Sequence, residues 1–223
     1  MDLGDACVLF DLDGTLIDTA RDLTAALNDA LAAAGLTPIE PRRVRHLVGQ
    51  GARTMLAQAF AEQGTAPSAE DLGRHVAVFL DHYNAHIADF SRPFPGAIAA
   101  VETLRNRGAA IAICTNKREA PARLLIASLR LDRHFDAIVG MDTVGIGKPD
   151  PAPLIHCLKL TDRRRGVFVG DSDTDVQAAT AAAMPVLTAT FGYGPLTMSG
   201  DAFALFHEFA AVPELVARAL DAG

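Results

Sequence analysis

The sequence has few basic residues, few cysteines and no long apolar run, and each shortage excludes a class of protein. Lys and Arg number 20 against 27 Asp and Glu, a formal net charge of −7. The chain therefore lacks the basic surface needed to bind nucleic acid or an anionic membrane. No apolar run approaches the roughly 18 residues of a membrane span, and the first ten residues lack the basic region of a signal peptide. We expect a cytoplasmic protein with no nucleic-acid or membrane partner.

The three cysteines, Cys7, Cys114 and Cys157, leave one unpaired in any disulfide arrangement. Cys7 and Cys114 lie within apolar runs, so we interpret all three as small buried thiols without a redox or metal role. The remaining composition is that of a folded chain, with 223 residues of which 50% are hydrophobic and 21% charged. This length allows one large domain, or a core with a smaller insert.

Five short apolar runs predict strands that are buried on both faces of a sheet. Helical patterns lie between the later runs, and the succession of strand, helix and strand predicts an α/β fold with a parallel sheet between helices. The predicted strands are 6–10, 109–114, 136–139, 166–169 and 186–190, and the predicted helices are 97–107, 119–129, 151–160 and 174–183.

One interval, from about residue 16 to residue 89, breaks this alternation. It shows only helical periodicity, such as the stripe of Leu23, Leu27 and Leu31 that ends at Gly35. We predict no strand there and interpret the interval as an all-helical lid. The predicted organisation is an α/β core formed by residues 1–15 and 91–223, with a helical cap domain at residues 16–90.

Acidic residues follow two of the predicted strands, at the sheet edge where ligands collect in open parallel sheets. Asp11 and Asp13 are two residues apart, so extended backbone points both to the same side, and Asp171 adds a third carboxylate. Each like-charge pair at ~4 Å costs about 4 kcal/mol at an effective dielectric constant near 20. Three acids at one edge therefore imply a hard divalent cation, and oxygen ligands favour Mg²⁺.

The other strand ends carry groups that suit a phosphoryl group. Thr115 offers a hydroxyl and Lys148 a positive charge, while Gly14 and Gly170 allow backbone amides to approach closely. Any one of these segments is also typical of an ordinary turn or helix cap. Their combination, with each segment at a strand end, predicts a site for phosphoryl chemistry.

The residues at the four strand ends resemble the four motifs of the haloacid dehalogenase-like hydrolases, in the phosphatase branch with a helical cap. The matching segments are 11–15, 115–116, 148–149 and 170–175. The resemblance covers nearly the whole chain and implies a Rossmann-like core with an inserted helical cap. Within the branch the chain is most similar to phosphoglycolate phosphatases, through segments that include 48–52 and 191–194.

The resemblance also implies a role for each site residue. Asp11 is expected to attack phosphorus and become an aspartyl phosphate, and Asp13 to act as general acid and then general base. Mg²⁺ is expected on the carboxylates of Asp11 and Asp171 and on the backbone carbonyl of Asp13. The remaining expectations are Thr115, Asn116 and Lys148 on the phosphoryl oxygens, and Asp175 orienting Lys148 or a metal-bound water.

Selectivity among phosphate esters is expected to come from the cap. Gly49, Gln50, Gly51 and Arg53 lie between two predicted cap helices. We expect this loop to close over the site, with Arg53 or a neighbour pairing with a substrate carboxylate. The alternative is a glycine turn followed by a solvated arginine. The expected partner is a small phosphorylated metabolite, with 2-phosphoglycolate as leading substrate, and the expected state is a monomer or homodimer.

Other activities fit some of the same residues. A phosphatase or mutase acting on a sugar phosphate would share the strand-end motifs, and a receiver-type signalling domain also clusters acids, Thr and Lys around Mg²⁺. The intact pair of Asp11 and Asp13 disfavours a phosphate sensor that has lost catalysis. Asp13 also disfavours carbon–halogen cleavage. Schiff-base chemistry requires a cap lysine, and the lysines are Lys117, Lys148 and Lys159, all outside the predicted cap.

Overall fold

A six-stranded parallel sheet forms the centre of the molecule. The computed structural model describes residues 2–48 and 51–222. In the sheet the strand order is β5-β4-β1-β6-β7-β8, and a separate two-stranded ribbon joins β2 to β3. The strands are β1 Ala6–Phe10, β2 Ile17–Asp18, β3 Arg92–Pro93, β4 Ala110–Cys114, β5 Ala137–Val139, β6 Arg165–Gly170, β7 Val186–Ala189 and β8 Ala204–Phe206.

Helices cover both faces of this sheet, as the α/β prediction required. Helices α5, α6 and α9 pack on one face, and α7 and α8 pack on the other. No helix within the described residues is both long and apolar enough to cross a membrane. The helices are α1 Ala20–Ala33, α2 Pro41–Val44, α3 Ala52–Glu62, α4 Ala69–Ala85, α5 Ala97–Asn106, α6 Glu119–Ser128, α7 Ala152–Thr161, α8 Asp173–Ala181 and α9 Val212–Asp221, with short 3₁₀ turns at Arg45–Leu47, Asp132–His134, Ser199–Asp201 and Phe209–Ala211.

The central strand β1 shows why the sequence contains apolar runs rather than alternation. Val8 and Phe10 join the buried cluster on one face of the sheet, and Cys7 and Leu9 join the cluster on the other. Both faces of the strand are therefore removed from water. All three cysteines are free and buried, which confirms the prediction of inert thiols.

The structure contains four strands and helices that the sequence patterns did not predict, namely β2, β3, β8 and α9. Strand β8 extends the sheet beside β7, but Ala204 and Leu205 are not fully buried, so the strand gives no continuous apolar run. Helix α9 follows it and packs on the sheet. Strand β2 pairs with β3 in antiparallel fashion, so the prediction of no strand between residues 16 and 89 was wrong. A two-residue ribbon is too short to show a period.

Helices α1 to α4, which we name the cap, lie between β2 and β3 in the chain. Helix α1 packs along α4, and α4 packs on α3. The predicted stripe of Leu23, Leu27 and Leu31 is buried, and it joins the same apolar cluster as the α5 face of the sheet. The cap therefore rests on the core through an apolar contact. The proposed domain boundaries at residues 16 and 90 stay a prediction.

A buried carboxylate ties the cap to the segment that returns to the sheet. Asp22 on α1 accepts hydrogen bonds from the backbone N–H groups of Phe90 (3.1 Å) and Ser91 (2.8 Å), and from the Ser91 hydroxyl (2.6 Å). Asp22 is 2% exposed and Ser91 is fully buried. These hydrogen bonds join the start of the cap, at α1, to the segment that leads from the cap back to the core.

Candidate active site

The sheet order brings four polar strand ends to one edge of the molecule. Strands β5, β4, β1 and β6 are neighbours and run parallel, so the residues after their carboxyl ends meet. The backbone N–H of Asp11 still bonds to Val169 on β6, and that of Thr115 bonds to Val139 on β5. The first residue of each loop is therefore fixed by the sheet itself.

Three carboxylates and one ammonium group form the centre of the site. One oxygen from each of Asp11, Asp171 and Asp175 lies within 4.8 Å of the others, and all three residues are buried. Lys148 Nζ lies 2.9 Å from Asp11 Oδ1 and 2.6 Å from Asp175 Oδ1. With all four groups ionised, the cluster carries two negative charges more than positive ones.

Burial shifts the protonation equilibria of this cluster. Desolvation raises the pKa of Asp11 to about 8, and it raises that of Asp171 to about 6 with a further contribution from the Asp175 charge. Desolvation alone would lower the pKa of Lys148, but Asp11 and Asp175 raise it above its ordinary value. The lysine therefore stays charged. Its single positive charge is too small to balance three ionised carboxylates.

Hydrogen bonds fix the orientation of Asp171 from three sides. Its Oδ1 accepts from the Thr15 hydroxyl at 2.6 Å, and its Oδ2 accepts from the backbone N–H groups of Tyr193 (2.8 Å) and Gly194 (3.3 Å). The adjacent Gly192 is required by close packing, because a Cβ there would lie 2.2 Å from the Asp171 Cβ. The 191–194 segment thus forms one wall of the acidic cluster.

Asp175 is held so completely that its bonding favours a positioning role. Its Oδ2 accepts from the backbone N–H of Asp171 (3.0 Å) and from the N–H and hydroxyl of Ser172 (3.1 and 2.8 Å), which closes a capping box at the start of α8. Its Oδ1 accepts from Lys148. The carboxylate therefore places the Lys148 ammonium next to Asp11.

Asp13 points toward different partners from Asp11. Lys117 Nζ lies 2.8 and 3.0 Å from its two oxygens, and the Thr19 hydroxyl donates to Oδ1 at 2.7 Å. The side chains of Lys117 and Asp13 are 8% and 10% exposed. Desolvation would lower the pKa of Lys117, but the Asp13 carboxylate raises it above its usual value. Lys117 therefore balances the charge of Asp13 whenever that carboxyl group is ionised.

Thr115 and Asn116 lie at the end of β4, beside this pair. The Thr115 hydroxyl accepts from the Lys117 backbone N–H at 3.1 Å. The Asn116 side chain donates to the Lys148 carbonyl (2.9 Å) and accepts from the Lys148 backbone N–H (2.8 Å). This side chain therefore anchors the loop that carries Lys148. Contact of Thr115, Asn116 and Lys148 with a phosphoryl group stays a prediction.

The donor set fits a hard divalent cation. Its oxygens come from carboxylates, the ligand type that Mg²⁺ prefers, and the cluster has an excess of negative charge. In an octahedron with Mg–O distances of about 2.1 Å, two ligands lie roughly 3 to 4 Å apart. The 4.8 Å within which the three oxygens lie is only slightly larger. Binding of the ion by Asp11, Asp171 and the Asp13 backbone carbonyl stays a prediction.

A cavity of about 390 Å³ lies between this site and the cap. The core contributes polar residues, among them Asp11 and Asp13, and the cap contributes an apolar wall. Gly51, with φ +84°, precedes α3 at the cavity, and Arg53 also lines it. The Arg53 guanidinium is exposed and donates to the Ala69 carbonyl at 3.1 Å. The predicted cap residues Gly49 and Gln50 lie outside the described residues.

Four residues at the site had no assigned role in the sequence interpretation: Thr15, Thr19, Lys117 and Tyr193. The Tyr193 backbone N–H donates to Asp171, while its hydroxyl donates to Asp18 and accepts from the Ala20 N–H, so this residue links the acidic cluster to the start of α1. Lys117 is one of three lysines in the chain and directly follows two predicted site residues, a signal that was present in the sequence. The distant pairings of Tyr193 carry no comparable signal.

Comparison with known sequences gives a consistent result. The family model described as haloacid dehalogenase-like hydrolase matches residues 8–189. A phosphoglycolate phosphatase of Mesorhizobium japonicum is 46% identical over 188 residues, which cover 83% of each chain. A phosphoglycolate phosphatase of Caulobacter vibrioides is 39% identical over 217 residues, covering 96% of this chain and 91% of that one.

Solved structures share the fold. A predicted phosphoglycolate phosphatase from Haemophilus somnus superposes with a TM-score of 0.86 at 24% identity, covering 94% of this chain and 96% of that one. A hydrolase from Pseudomonas syringae gives a TM-score of 0.74 at 25% identity, covering 97% and 98%. The chain therefore belongs to the haloacid dehalogenase-like hydrolases, and within them it is a phosphoric monoester hydrolase similar to phosphoglycolate phosphatases.

Proposed function

We propose that this protein is a Mg²⁺-dependent phosphatase that hydrolyses 2-phosphoglycolate to glycolate and phosphate through an aspartyl phosphate. The observation that carries the proposal is the pairing of two acids with two lysines. Asp11 lies against Lys148, and Asp13, two residues later, lies against Lys117. This arrangement supports an attacking role for Asp11, beside a positive charge, and a separate proton-transfer role for Asp13.

The residues divide the reaction into two steps. In the first, an Asp11 oxygen attacks phosphorus, the ester P–O bond breaks, and Asp13 gives its proton to the departing alkoxide oxygen. In the second, Asp13 removes a proton from water, the water oxygen attacks phosphorus, and the bond to Asp11 breaks. Asp13 has regained its proton, and phosphate leaves.

The strand-end residues supply the charge that phosphoryl transfer requires. Lys148 neutralises negative charge on the phosphoryl oxygens from a position fixed by Asp175 and Asn116. The Thr115 hydroxyl and the Asn116 backbone amide are proposed as further donors. A Mg²⁺ ion on Asp11, Asp171 and the Asp13 carbonyl would supply the remaining positive charge.

The substrate assignment is supported by the relatives named phosphoglycolate phosphatase, at 46% and 39% identity. A sugar phosphate is the second candidate, because a cavity of about 390 Å³ has room for more than a two-carbon acid. For either ester, the part of the molecule that is not phosphate must fit against the apolar wall of the cap.

A panel assay tests the proposal. Phosphate release is measured with and without Mg²⁺ from 2-phosphoglycolate, a hexose phosphate, a nucleotide, pyrophosphate and an aryl phosphate. We expect Mg²⁺-dependent turnover, highest kcat/KM for 2-phosphoglycolate, and no turnover by Asp11→Asn. The matched control is Asp81→Asn, at an exposed position on α4. Absence of turnover on every ester, or equal turnover by Asp11→Asn, would contradict the proposal.

A further inference from the structure

Polar groups are few on the cap side of the cavity, and one of them has Lys117 as its polar neighbour. Leu47, Met55, Val76 and Phe79 form much of the wall there. Among them lies Tyr83 of α4, which is 2% exposed, and within the described residues its hydroxyl interacts with the Lys117 ammonium but makes no hydrogen bond of ordinary length. A buried hydroxyl that is not fully hydrogen-bonded is less stable than a satisfied one. Such a group at a cavity indicates a ligand atom that would complete it.

Lys117 lies directly beside the aromatic ring of Tyr83. Its Nζ is 4.6 Å from the centroid of the Tyr83 ring and 2.8 Å from Asp13 Oδ2. Asp13 and Tyr83 thus face the same ammonium group from the core and from the cap. Burial raises the pKa of Tyr83 to about 12, so its hydroxyl keeps its proton and can donate.

We propose that Lys117 and Tyr83 together bind the carboxylate of the substrate and so select short phosphorylated acids. The inference rests on the proposed function and names the residues that read the non-phosphate end. The ammonium group has three donors and the phenol has one. A carboxylate between them accepts from both, while Lys117 keeps its contact with Asp13.

The size of the substrate places its carboxylate near this pair. To donate a proton, Asp13 must lie about 2.6–3.2 Å from the ester oxygen. In 2-phosphoglycolate the carboxylate carbon is only two bonds from that oxygen. A group in contact with Asp13, as Lys117 is, therefore lies within reach of the carboxylate. An ester with a longer or uncharged end would leave the Tyr83 hydroxyl unsatisfied under the cap.

Two arginines at the cavity are poorer candidates for the same role. Arg118 pairs with Asp142 at 3.1 Å and is 62% exposed at its side chain. Arg53 is exposed and donates to Ala69. A charge in contact with solvent interacts weakly because water screens it. Lys117, with a side chain only 8% exposed, interacts in a medium of lower effective dielectric constant.

The test compares two esters with the same carbon skeleton. One is 2-phosphoglycolate, and the other is 2-hydroxyethyl phosphate, in which an alcohol replaces the carboxylate. For Lys117→Met we expect the ratio of kcat/KM for the two esters to fall about tenfold to 100-fold, mostly through KM for 2-phosphoglycolate. Tyr83→Phe is expected to reduce the ratio about threefold to tenfold. Lys117→Arg should restore part of the loss, and Lys159→Met, an exposed lysine on α7, is the matched control.

The outcomes separate this inference from the proposed function. Equal losses on both esters in Lys117→Met would show that Lys117 acts on Asp13 alone and would overturn the carboxylate subsite. An unchanged ratio in Tyr83→Phe would overturn it as well, and this variant decides if Lys117→Met does not fold. If the wild-type enzyme hydrolyses both esters equally, the proposed phosphatase activity is supported but the carboxylate subsite is contradicted. A wild-type enzyme inactive on all esters removes the proposed function itself.

Discussion

The two sides of the cavity differ in how their polar groups are held. On the core side, Asp171 and Asp175 each accept at least three hydrogen bonds, and their partners come from loops that the sheet fixes in place. On the cap side, most lining groups are apolar, Tyr83 interacts only loosely with Lys117, and Arg53 reaches solvent. The protein itself holds the polar groups of the core side in place, whereas it holds few polar groups in this way on the cap side.

This difference separates chemistry from selectivity. Phosphoryl transfer requires charges in fixed positions, which the core provides for any phosphate ester. We expect recognition of the rest of the substrate to depend on side chains of the cap and on the few core groups that face it. Substitutions in the two regions should therefore change different kinetic parameters, and each prediction below tests that separation.

The largest effect is expected from Lys148→Met. This change removes the positive charge next to Asp11 and leaves Asp175 without its partner. We expect kcat to fall about 10²–10³-fold on every phosphate ester tested, and stability to fall by about 3–5 kcal/mol. Steady-state kinetics and urea unfolding, with Lys159→Met as control, measure the two quantities. A loss confined to one ester would show that Lys148 takes part in selectivity. It would contradict the division between a core that performs the chemistry and a cap that selects the substrate.

The next prediction concerns pH in the absence of metal. The pKa values of Asp11 and Asp171 are raised by burial from 3.8 to about 8 and about 6. A carboxyl with a raised pKa in the folded state contributes stability below its unfolded pKa, and this contribution is lost as pH rises through the folded value. The metal-free protein should therefore lose on the order of 4 kcal/mol between pH 5.5 and 8.5, most of it through Asp11.

The variant Asp11→Asn isolates this effect, because Asn cannot ionise. In EDTA, its stability should fall less than that of the wild type over the same pH interval, and Mg²⁺ should stabilise the wild type more at pH 8.5 than at pH 5.5. Thermal unfolding with and without Mg²⁺ measures both differences, with Asp81→Asn as control. If the stability of wild type and that of Asp11→Asn change equally with pH, then ionisation of Asp11 does not destabilise the folded protein.

Much of the core side could be predicted from the sequence, because its features are local. A strand buried on both faces gives an apolar run, and the first residues after the run lie at its carboxyl end, as Asp11 and Thr115 do. The α/β fold was confirmed in this way. Strand β8 and the ribbon of β2 and β3 could not be predicted, because the one is incompletely buried and the other has two residues.

The cap side could be predicted only in outline. Helical stripes such as Leu23 and Leu27 located helices, but contacts between the cap and the core join residues far apart in sequence. Tyr83 meets Lys117 across 34 positions, and Tyr193 reaches Asp18 across 175. No period or spacing records such pairs. The residues that we propose to bind the substrate carboxylate are of this kind, so selectivity was the least predictable property.

A smaller effect is expected from Asp22→Ala. This change removes the hydrogen bonds between α1 and the segment that returns to the core, and Asp22 does not line the cavity. The change leaves the N–H groups of Phe90 and Ser91 and the Ser91 hydroxyl without their acceptor. We expect a loss of about 2–3 kcal/mol in unfolding free energy, and faster proteolysis near residues 87–91. The control is Asp29→Ala, at an exposed position on the same helix. Equal losses in the two variants would indicate a general effect on α1.

The smallest effect is expected from Arg53→Ala, and it bears directly on how the cap contributes to selectivity. Because the guanidinium is exposed, its attraction for a substrate carboxylate is worth up to about 1 kcal/mol, or roughly fivefold in KM. KM for 2-phosphoglycolate should rise by that factor while KM for an uncharged aryl phosphate stays constant. Raising the salt concentration should reduce the difference, because exposed charges are screened. Equal changes for both esters would remove Arg53 from substrate recognition and leave the carboxylate to groups that are buried in the cavity.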